Sequence, residues 1–224
     1  MAKTKYPKAP LYIKNIYSWL YLNLPIYNFF DNSILLNILT VGHHYLLTEE
    51  LKKEITPHSN ILQIGITLGS QIEKTHQSLG ALDTYTIVDI LPHILENHQA
   101  KHLEQHIKYI EADASKTIKG EYDTIICHLL LHELPQRTRK KLLKNIINSL
   151  KIGGKAIFID YHTPSSYNPL KYIIRAVNRL YQPFAETLWK ASIKDLTPDA
   201  ENCKWSKQTY FGGIYQKVVA TKYK

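Results

Sequence analysis

Asn60-Ile-Leu-Gln-Ile-Gly-Ile66, a helical segment over 70–79, and then Thr84-Tyr-Thr-Ile-Val-Asp-Ile90 read as strand, helix, strand. The two apolar runs lack clean alternation, so each strand is expected to be buried on both faces, as in a parallel sheet covered by helices. The same pattern continues downstream. A helix is expected over 93–105, a strand over His106–Glu111, another over Tyr122–Cys127, a helix over 136–150 and a strand over Lys155–Asp160. Leu142, Leu143, Ile146, Ile147 and Leu150 give the 136–150 segment its apolar stripe. Strands alternating with helices predict the α/β class, a doubly wound, mostly parallel Rossmann-like sheet with right-handed crossovers. Farther on, 168–194 reads as an amphipathic helical stretch, and Gly212-Gly213 joins two strands over 204–211 and 214–222 in an antiparallel hairpin. Upstream, Pro25 is expected to break an aromatic-rich segment into helices over 10–23 and 31–53. The chain divides into an N-terminal helical cap, 1–53, and a main domain, 54–224, with a helical insertion at about 165–200.

The 224 residues suffice to bury a core without staples. Two cysteines, Cys127 and Cys203, exclude a disulfide framework and a Cys-rich zinc module. The beginning, MAKTKYPKAP, is basic but lacks the apolar run of a signal peptide, and no apolar stretch is long enough to span a bilayer. A cytoplasmic protein is the expectation. The net charge of +9 favours an acidic partner: nucleic acid, anionic lipid or an anionic cofactor. Trp19 and several tyrosines near Lys5, Lys8 and Lys14 suit a membrane interface, or simply a cap packed on the main domain. The run Arg137, Arg139, Lys140, Lys141, Lys144 reads as a solvated helix face, and without interleaved aromatics a nucleic-acid role is not favoured. His98, His102 and His106 likewise read as a solvated face rather than metal ligands.

Ligands of open parallel sheets bind at the carboxyl ends of the strands. Gly65-Ile-Thr-Leu-Gly69 closes the first strand, where glycine permits a tight turn and close approach of a ligand, or only a strand-to-helix turn. Asp89 ends the second strand, and an acid there can accept both hydroxyls of a ribose. Asp113, in Glu111-Ala-Asp113-Ala114 after the third strand, can accept from an adenine amine. Either acid alone could be a helix cap; together they favour an adenosine-bearing ligand. The fourth strand leads into Leu131-His-Glu133, and the fifth ends in Asp160-Tyr161-His162. If those strands are neighbours, His132, Glu133, Asp160 and His162 converge, and such a set can serve as acid and base or hold a divalent cation.

Strand-end acids at 89 and 113, the Leu-His-Glu-Leu-Pro turn and Leu150-Lys-Ile-Gly-Gly-Lys-Ala together resemble the class I S-adenosylmethionine (SAM)-dependent methyltransferases. A narrower resemblance is to the rhodoquinone-biosynthesis enzymes of the RquA family. It rests on Val88-Asp-Ile-Leu-Pro92, Leu130-Leu-His-Glu133, Ile159-Asp-Tyr-His162, Pro183-Phe-Ala185 and Phe211-Gly-Gly-Ile-Tyr-Gln-Lys-Val218. That resemblance implies replacement of a ubiquinone methoxy group by an amino group taken from SAM, with the help of a divalent metal such as Mn2+. It implies that Asp89 with Ile90, and Asp113 with Ala114, hold the ribose and adenine. Gln63, Gly65, Gly69 and His128 would border the rest of the cofactor. His132, Glu133, Asp160 and His162 would carry the catalysis, with Asp160 and His162 as metal ligands. Residues 1–53 and 165–200 would enclose a lipophilic quinone and face an anionic membrane from its cytoplasmic side, as a peripheral protein.

The string departs from the narrower family at Thr67-Leu-Gly-Ser70, where a Tyr and an Asp are expected. Conventional methylation of a quinone or other small lipophilic acceptor is therefore the alternative. A non-catalytic protein binding membrane or nucleic acid through its basic faces is the reading from another class.

Overall fold

The computed structural model describes residues 9–102 and 106–224. Lys5, Lys8 and the end of the helix expected over 93–105 lie outside the described residues. The centre is a seven-stranded sheet of β1 (Asn60–Ile64), β2 (Thr84–Asp89), β3 (Ile107–Glu111), β4 (Tyr122–His128), β5 (Leu150–Tyr161), β6 (Cys203–Tyr210) and β7 (Tyr215–Lys222). Its order is β3-β2-β1-β4-β5-β7-β6. The first five strands run parallel, while β7 pairs antiparallel with both β5 and β6. The expected class is therefore shown, hairpin included. The strand order reverses between β1 and β4, so a crevice opens beyond their carboxyl ends.

The absence of alternation has the cause the sequence indicates. Neighbouring residues of one strand serve two separate cores: Ile125 packs with Leu62, Phe158, Leu143 and Ile146, whereas Ile126 packs with Ile61, Ile87, Ile157 and Ile94. The helices between strands are α5 (Gln71–Gln77), α6 (Pro92–Lys101) and α7 (Gln136–Asn148). On α7, Arg139 is a correction to the basic-face reading. It is fully buried, and its guanidinium donates to the carbonyls of Leu131, Leu134 and Phe184. Position 139 shares the stripe of 142, 143 and 146, so the buried guanidinium takes its place in the core by satisfying carbonyls. His98 is a second correction: it is buried against the Tyr109 hydroxyl at 2.8 Å, with its ring tilted against that of His102, which pairs with Glu73 at 2.9 Å.

Before β1 the chain forms a π-helical turn (Ile13–Tyr17) running into α1 (Ser18–Tyr21), then α2 (Leu24–Phe30), α3 (Ser33–Leu39) and α4 (His43–Lys52). Pro25 does not end a helix; it opens one, in the first turn of α2, where its missing N–H costs nothing. The expected helix over 31–53 is split at Thr40–Gly42. The 168–194 stretch is likewise three helices: α8 (Lys171–Tyr181), α9 (Ala185–Trp189) and α10 (Ile193–Leu196). These elements hold one another by side chains. Asp31 accepts from the Gly69 amide at 2.8 Å and from Lys101 at 2.6 Å, and Lys217 on β7 pairs with Glu50 and Glu54 at 3.0 and 2.8 Å. Among the described residues, no helix is long and apolar enough to cross a membrane.

Candidate active site

A cavity of about 220 Å3 lies in the crevice between the ends of β1 and β4. Gly65, Ile66 and Thr67 form one wall, Asp89 to Leu91 and Ala112 to Ser115 the second, and His128 to Leu130 with His132 and Glu133 the third. Tyr12, Ile13 and Tyr21 of the N-terminal segment, with Leu36, Thr40 and His44, lie across it. Of the twelve residues assigned to the cofactor or catalysis, the structure brings Gly65, Asp89, Ile90, Asp113, Ala114, His128, His132 and Glu133 to the cavity.

Asp89 ties two loops. One carboxylate oxygen accepts from the Ile66 amide at 2.9 Å and the other from the Leu91 amide at 2.8 Å. Burial raises its pKa, opposed by those backbone donors. A carboxylate has about four acceptor sites, so each oxygen keeps one for a ligand. Asp113 accepts from the amide and hydroxyl of Ser115 at 3.0 and 2.6 Å, fixing its own turn. Gly65 has φ +81°, and a side chain there would press on Leu130 at 3.3 Å. His128 is fully buried with neither ring nitrogen partnered, and burial drives its pKa down to about 3, so it is neutral. His44 faces the same cavity with an unpartnered Nε2 and a pKa lowered to about 4, mainly by burial. Two carboxylates at successive strand ends and orphaned imidazole nitrogens beside them are a donor set that fits an adenosyl amino acid. Asp89 and Asp113 would hold its ribose and base.

The candidate acid–base group is built by β5 and the turn Leu131–Glu133, which is one turn of 3-10 helix. Because β4 pairs with β5, Asp160 stands beside that turn. One Asp160 oxygen accepts from His132 Nδ1 and from the Tyr161 amide, both at 2.7 Å. The other accepts from the amides of Leu131 and His132 at 2.7 and 3.3 Å. Nδ1 therefore carries the proton and Nε2 is the free nitrogen, 4.0 Å from Glu133. Burial alone would lower the pKa of His132, but the charge and hydrogen bond of Asp160, with Glu133, outweigh it and leave the pKa raised. Burial pushes Glu133 up to about 7 against the opposing pull of His132 and Tyr21. Tyr21 donates to both Glu133 oxygens at 2.9 Å.

Four expectations are corrected by position. Gln63 does not line the cavity; it is buried behind the wall formed by Thr67, bonded to Gln71, Tyr85 and Thr67. Gly69 does not itself line the cavity; it packs behind Leu36 and His44, which do, and a Cβ there would stand 2.7 Å from Leu36 and 2.8 Å from His44. His162 does not join His132 and Asp160. Its Nδ1 donates to the Gly213 carbonyl at 3.0 Å, and its Nε2 lies 2.8 Å from the Lys207 ammonium. Burial and that ammonium lower its pKa. The proposed Mn2+ ligands do not fit a metal either. Asp160 already accepts from four donors, a cation stands against His162, and the described residues contain no cluster of three or more His, Cys, Asp or Glu able to hold one.

Sequence reasoning missed Tyr12, Tyr21 and His44 as cavity residues. They reach it only through the packing of the cap, for which no local pattern exists. It also missed Leu129, a non-glycine residue at φ +50° whose amide donates to Ile159 and which lines the cavity.

Residues 61–154 match a family described as methyltransferase domain. No curated protein sequence matches the chain. Solved structures that resemble it include a possible exported protein from Bordetella parapertussis, at 17% identity, TM-score 0.64, covering 83% of this chain and 68% of that one. The mitomycin 7-O-methyltransferase MmcR matches at 13% identity and TM-score 0.62, over 84% of this chain and 56% of its own. The N-methyltransferase NodS from Bradyrhizobium japonicum WM9, solved with S-adenosyl-L-homocysteine, matches at 16% identity and TM-score 0.57, over 81% and 87%. The chain thus spans less than two thirds of MmcR but most of NodS. With residues 61–154 matching a methyltransferase domain and more than four fifths of the chain superposing on such enzymes, this chain has the class I, Rossmann-like methyltransferase fold.

Proposed function

We propose that this protein is a SAM-dependent transferase acting on a lipophilic, quinone-type acceptor. The observation that carries the reading is that His132, with Asp160 behind it, lines the same cavity as Asp89 and Asp113, beneath an aromatic cap. SAM supplies an activated group on a positively charged sulfonium. Asp89 and Asp113 hold and orient the adenosyl part, and the neutral ring of His128 takes a polar group of the cofactor or acceptor. Tyr12, Tyr21 and Ile13 exclude water and press on an apolar ring. His132 Nε2 accepts a proton from the acceptor, and Asp160 stabilises the imidazolium that results. Glu133, held by Tyr21 and 4.0 Å from Nε2, adds a negative charge that favours the imidazolium.

Two reactions use this arrangement. Replacement of a ring methoxy by an amino group is supported by the strings Ile159-Asp-Tyr-His162 and Phe211-Gly-Gly-Ile-Tyr-Gln-Lys-Val218. Methyl transfer to a quinol hydroxyl is supported by the proton-accepting His132 and by the absence of Tyr and Asp at Thr67–Ser70. Purified protein incubated with SAM and either short-chain ubiquinone or its demethylated quinol distinguishes them by product mass. A lighter ubiquinone product indicates amination, and a heavier quinol product indicates methylation. SAM binding without either product overturns the quinone assignment. Because the donor set does not fit a metal, turnover is expected to be unchanged by EDTA or by added Mn2+.

A further inference from the structure

Helix α8 is packed the wrong way round for a water-soluble surface. Its inward side carries Asn178 and the partly buried Ile174, while Ile173, Val177 and Leu180, spaced to form one stripe, are 62%, 48% and 75% exposed. A surface helix ordinarily turns such a stripe inward. The stripe continues into the cap. Tyr181 meets Trp19 edge-on at 5.6 Å, and Trp19 meets Phe30 at 5.9 Å. Helix α3 shows the same inversion, with Ile34 and Ile38 each about two thirds exposed. Exposed apolar area of this extent and continuity marks an interaction surface.

We propose that this surface docks on an anionic lipid bilayer, with α8 lying in the plane of the interface. Three features select a bilayer over a second copy of the chain. Lys171, Arg175 and Arg179 occupy the arc of α8 opposite the stripe, the arrangement of a helix half-sunk among headgroups. The chain carries a net charge of +9, which attracts anionic lipid and opposes self-association. Trp19 and Tyr181 have rings suited to the boundary, apolar with one polar edge. With 11 residues, α8 is far too short to cross the hydrocarbon, so the contact is peripheral.

The surface also adjoins the cavity. On α3, Leu36 lines the cavity while Ile34 and Ile38 point outward, and beyond α8 the cavity is lined by Gln182, next to the exposed Tyr181. A lipid-dissolved acceptor could pass between these elements without crossing water. The docking itself does not depend on which reaction is assigned.

The test is flotation with vesicles of pure phosphatidylcholine and vesicles containing phosphatidylglycerol, using wild type and an Ile173→Ser/Val177→Ser/Leu180→Ser variant. None of these three residues lines the cavity. Wild type is expected to float with phosphatidylglycerol vesicles and to dissociate as salt rises. The variant is expected to bind at least tenfold more weakly, with unchanged SAM affinity and thermal midpoint. An Arg175→Glu variant, whose fold does not depend on the stripe, should lose the preference for phosphatidylglycerol. Wild type that ignores phosphatidylglycerol vesicles, or a triple variant that floats equally well, overturns the proposal. So does a wild-type dimer that the triple substitution converts to monomer without affecting flotation.

Discussion

His132 is held by Asp160 in the tautomer a base requires, and that contact has a measurable signature. In the proposed reaction the neutral imidazole accepts the proton, so kcat should rise with pH through the pKa of His132. Since Asp160 and Glu133 raise that pKa against burial, the rise should fall above the ordinary histidine value of about 6.5. In Asp160→Asn the desolvation remains and the charge is gone, so the inflection should move to lower pH. The imidazole also loses its fixed tautomer, and kcat should fall by roughly 10²–10⁴. SAM affinity, measured by calorimetry, should be unaffected in this variant. It should weaken in Asp89→Ala, which removes the carboxylate proposed to hold the ribose and also releases the amides of Ile66 and Leu91. A kcat profile unchanged by Asp160→Asn would exclude His132 as the base. That His132 and Asp160 would meet was legible because Asp160 ends β5 and His132 follows β4 by one turn, and neighbouring parallel strands bring such positions to one edge. His162 was expected with them on the same argument, yet the strand stops at Tyr161 and the His162 amide turns to donate to Ile214. Its ring is then taken by the hairpin, and no local pattern contains that contact.

At the scale of elements, the cap is what converts a sheet edge into an enclosed site. Its contact with the main domain is tight at Gly69. The residue has φ +78°, where an L side chain is strained, and any Cβ would collide with Leu36 and His44. Gly69→Ala should therefore push the α3–α4 junction outward and cost about 1–3 kcal/mol, read from a denaturant midpoint. Limited proteolysis should then cut the cap faster than in wild type. Tyr21→Phe tests the other end of the same lid. It removes a phenol that donates to both Glu133 oxygens and a contribution that lowers the Glu133 pKa, so Glu133 should titrate higher still. The strands and the terminal hairpin were legible because burial on both faces suppresses alternation and Gly-Gly marks a turn. The cap was legible only as helical and aromatic. Pro25 reads as a breaker or as a first-turn residue with equal ease, and Asn23, whose side chain accepts from the Ile26 amide, decides for the latter. Arg139 could have been assigned to the core from its place on the stripe of α7, since periodicity outranks residue type when carbonyls are there to receive the charge.

Across the whole molecule, the cap is joined to the hairpin at the far edge of the sheet by Lys217, Glu50, Glu54 and Tyr210. Hydrogen bonds from Lys53, Lys217 and Tyr210 outweigh burial and hold Glu50 down at about 2, against an ordinary value of 4.5. A carboxylate whose folded pKa lies below its unfolded one stabilises the fold above the unfolded value. That contribution is complete above about pH 4.5 and is lost as pH falls toward 2. The partner obeys the opposite sign. Hydrogen bonds and charge from Glu54 and Glu50 overcome the burial of Lys217 and raise its pKa, so its contribution is complete below 10.5 and fades as pH rises further. Stability should therefore form a plateau between these limits. Urea midpoints measured across the range should show an acid limb that is shallower in Glu50→Gln, whose loss of stability is already present at pH 7. Lys217→Met should flatten the alkaline limb and lower the plateau as well, since it strands Glu50 and Glu54 without their shared cation. If Glu50→Gln instead keeps the wild-type acid limb, the junction between cap and hairpin does not carry the acid sensitivity, and other carboxylates must.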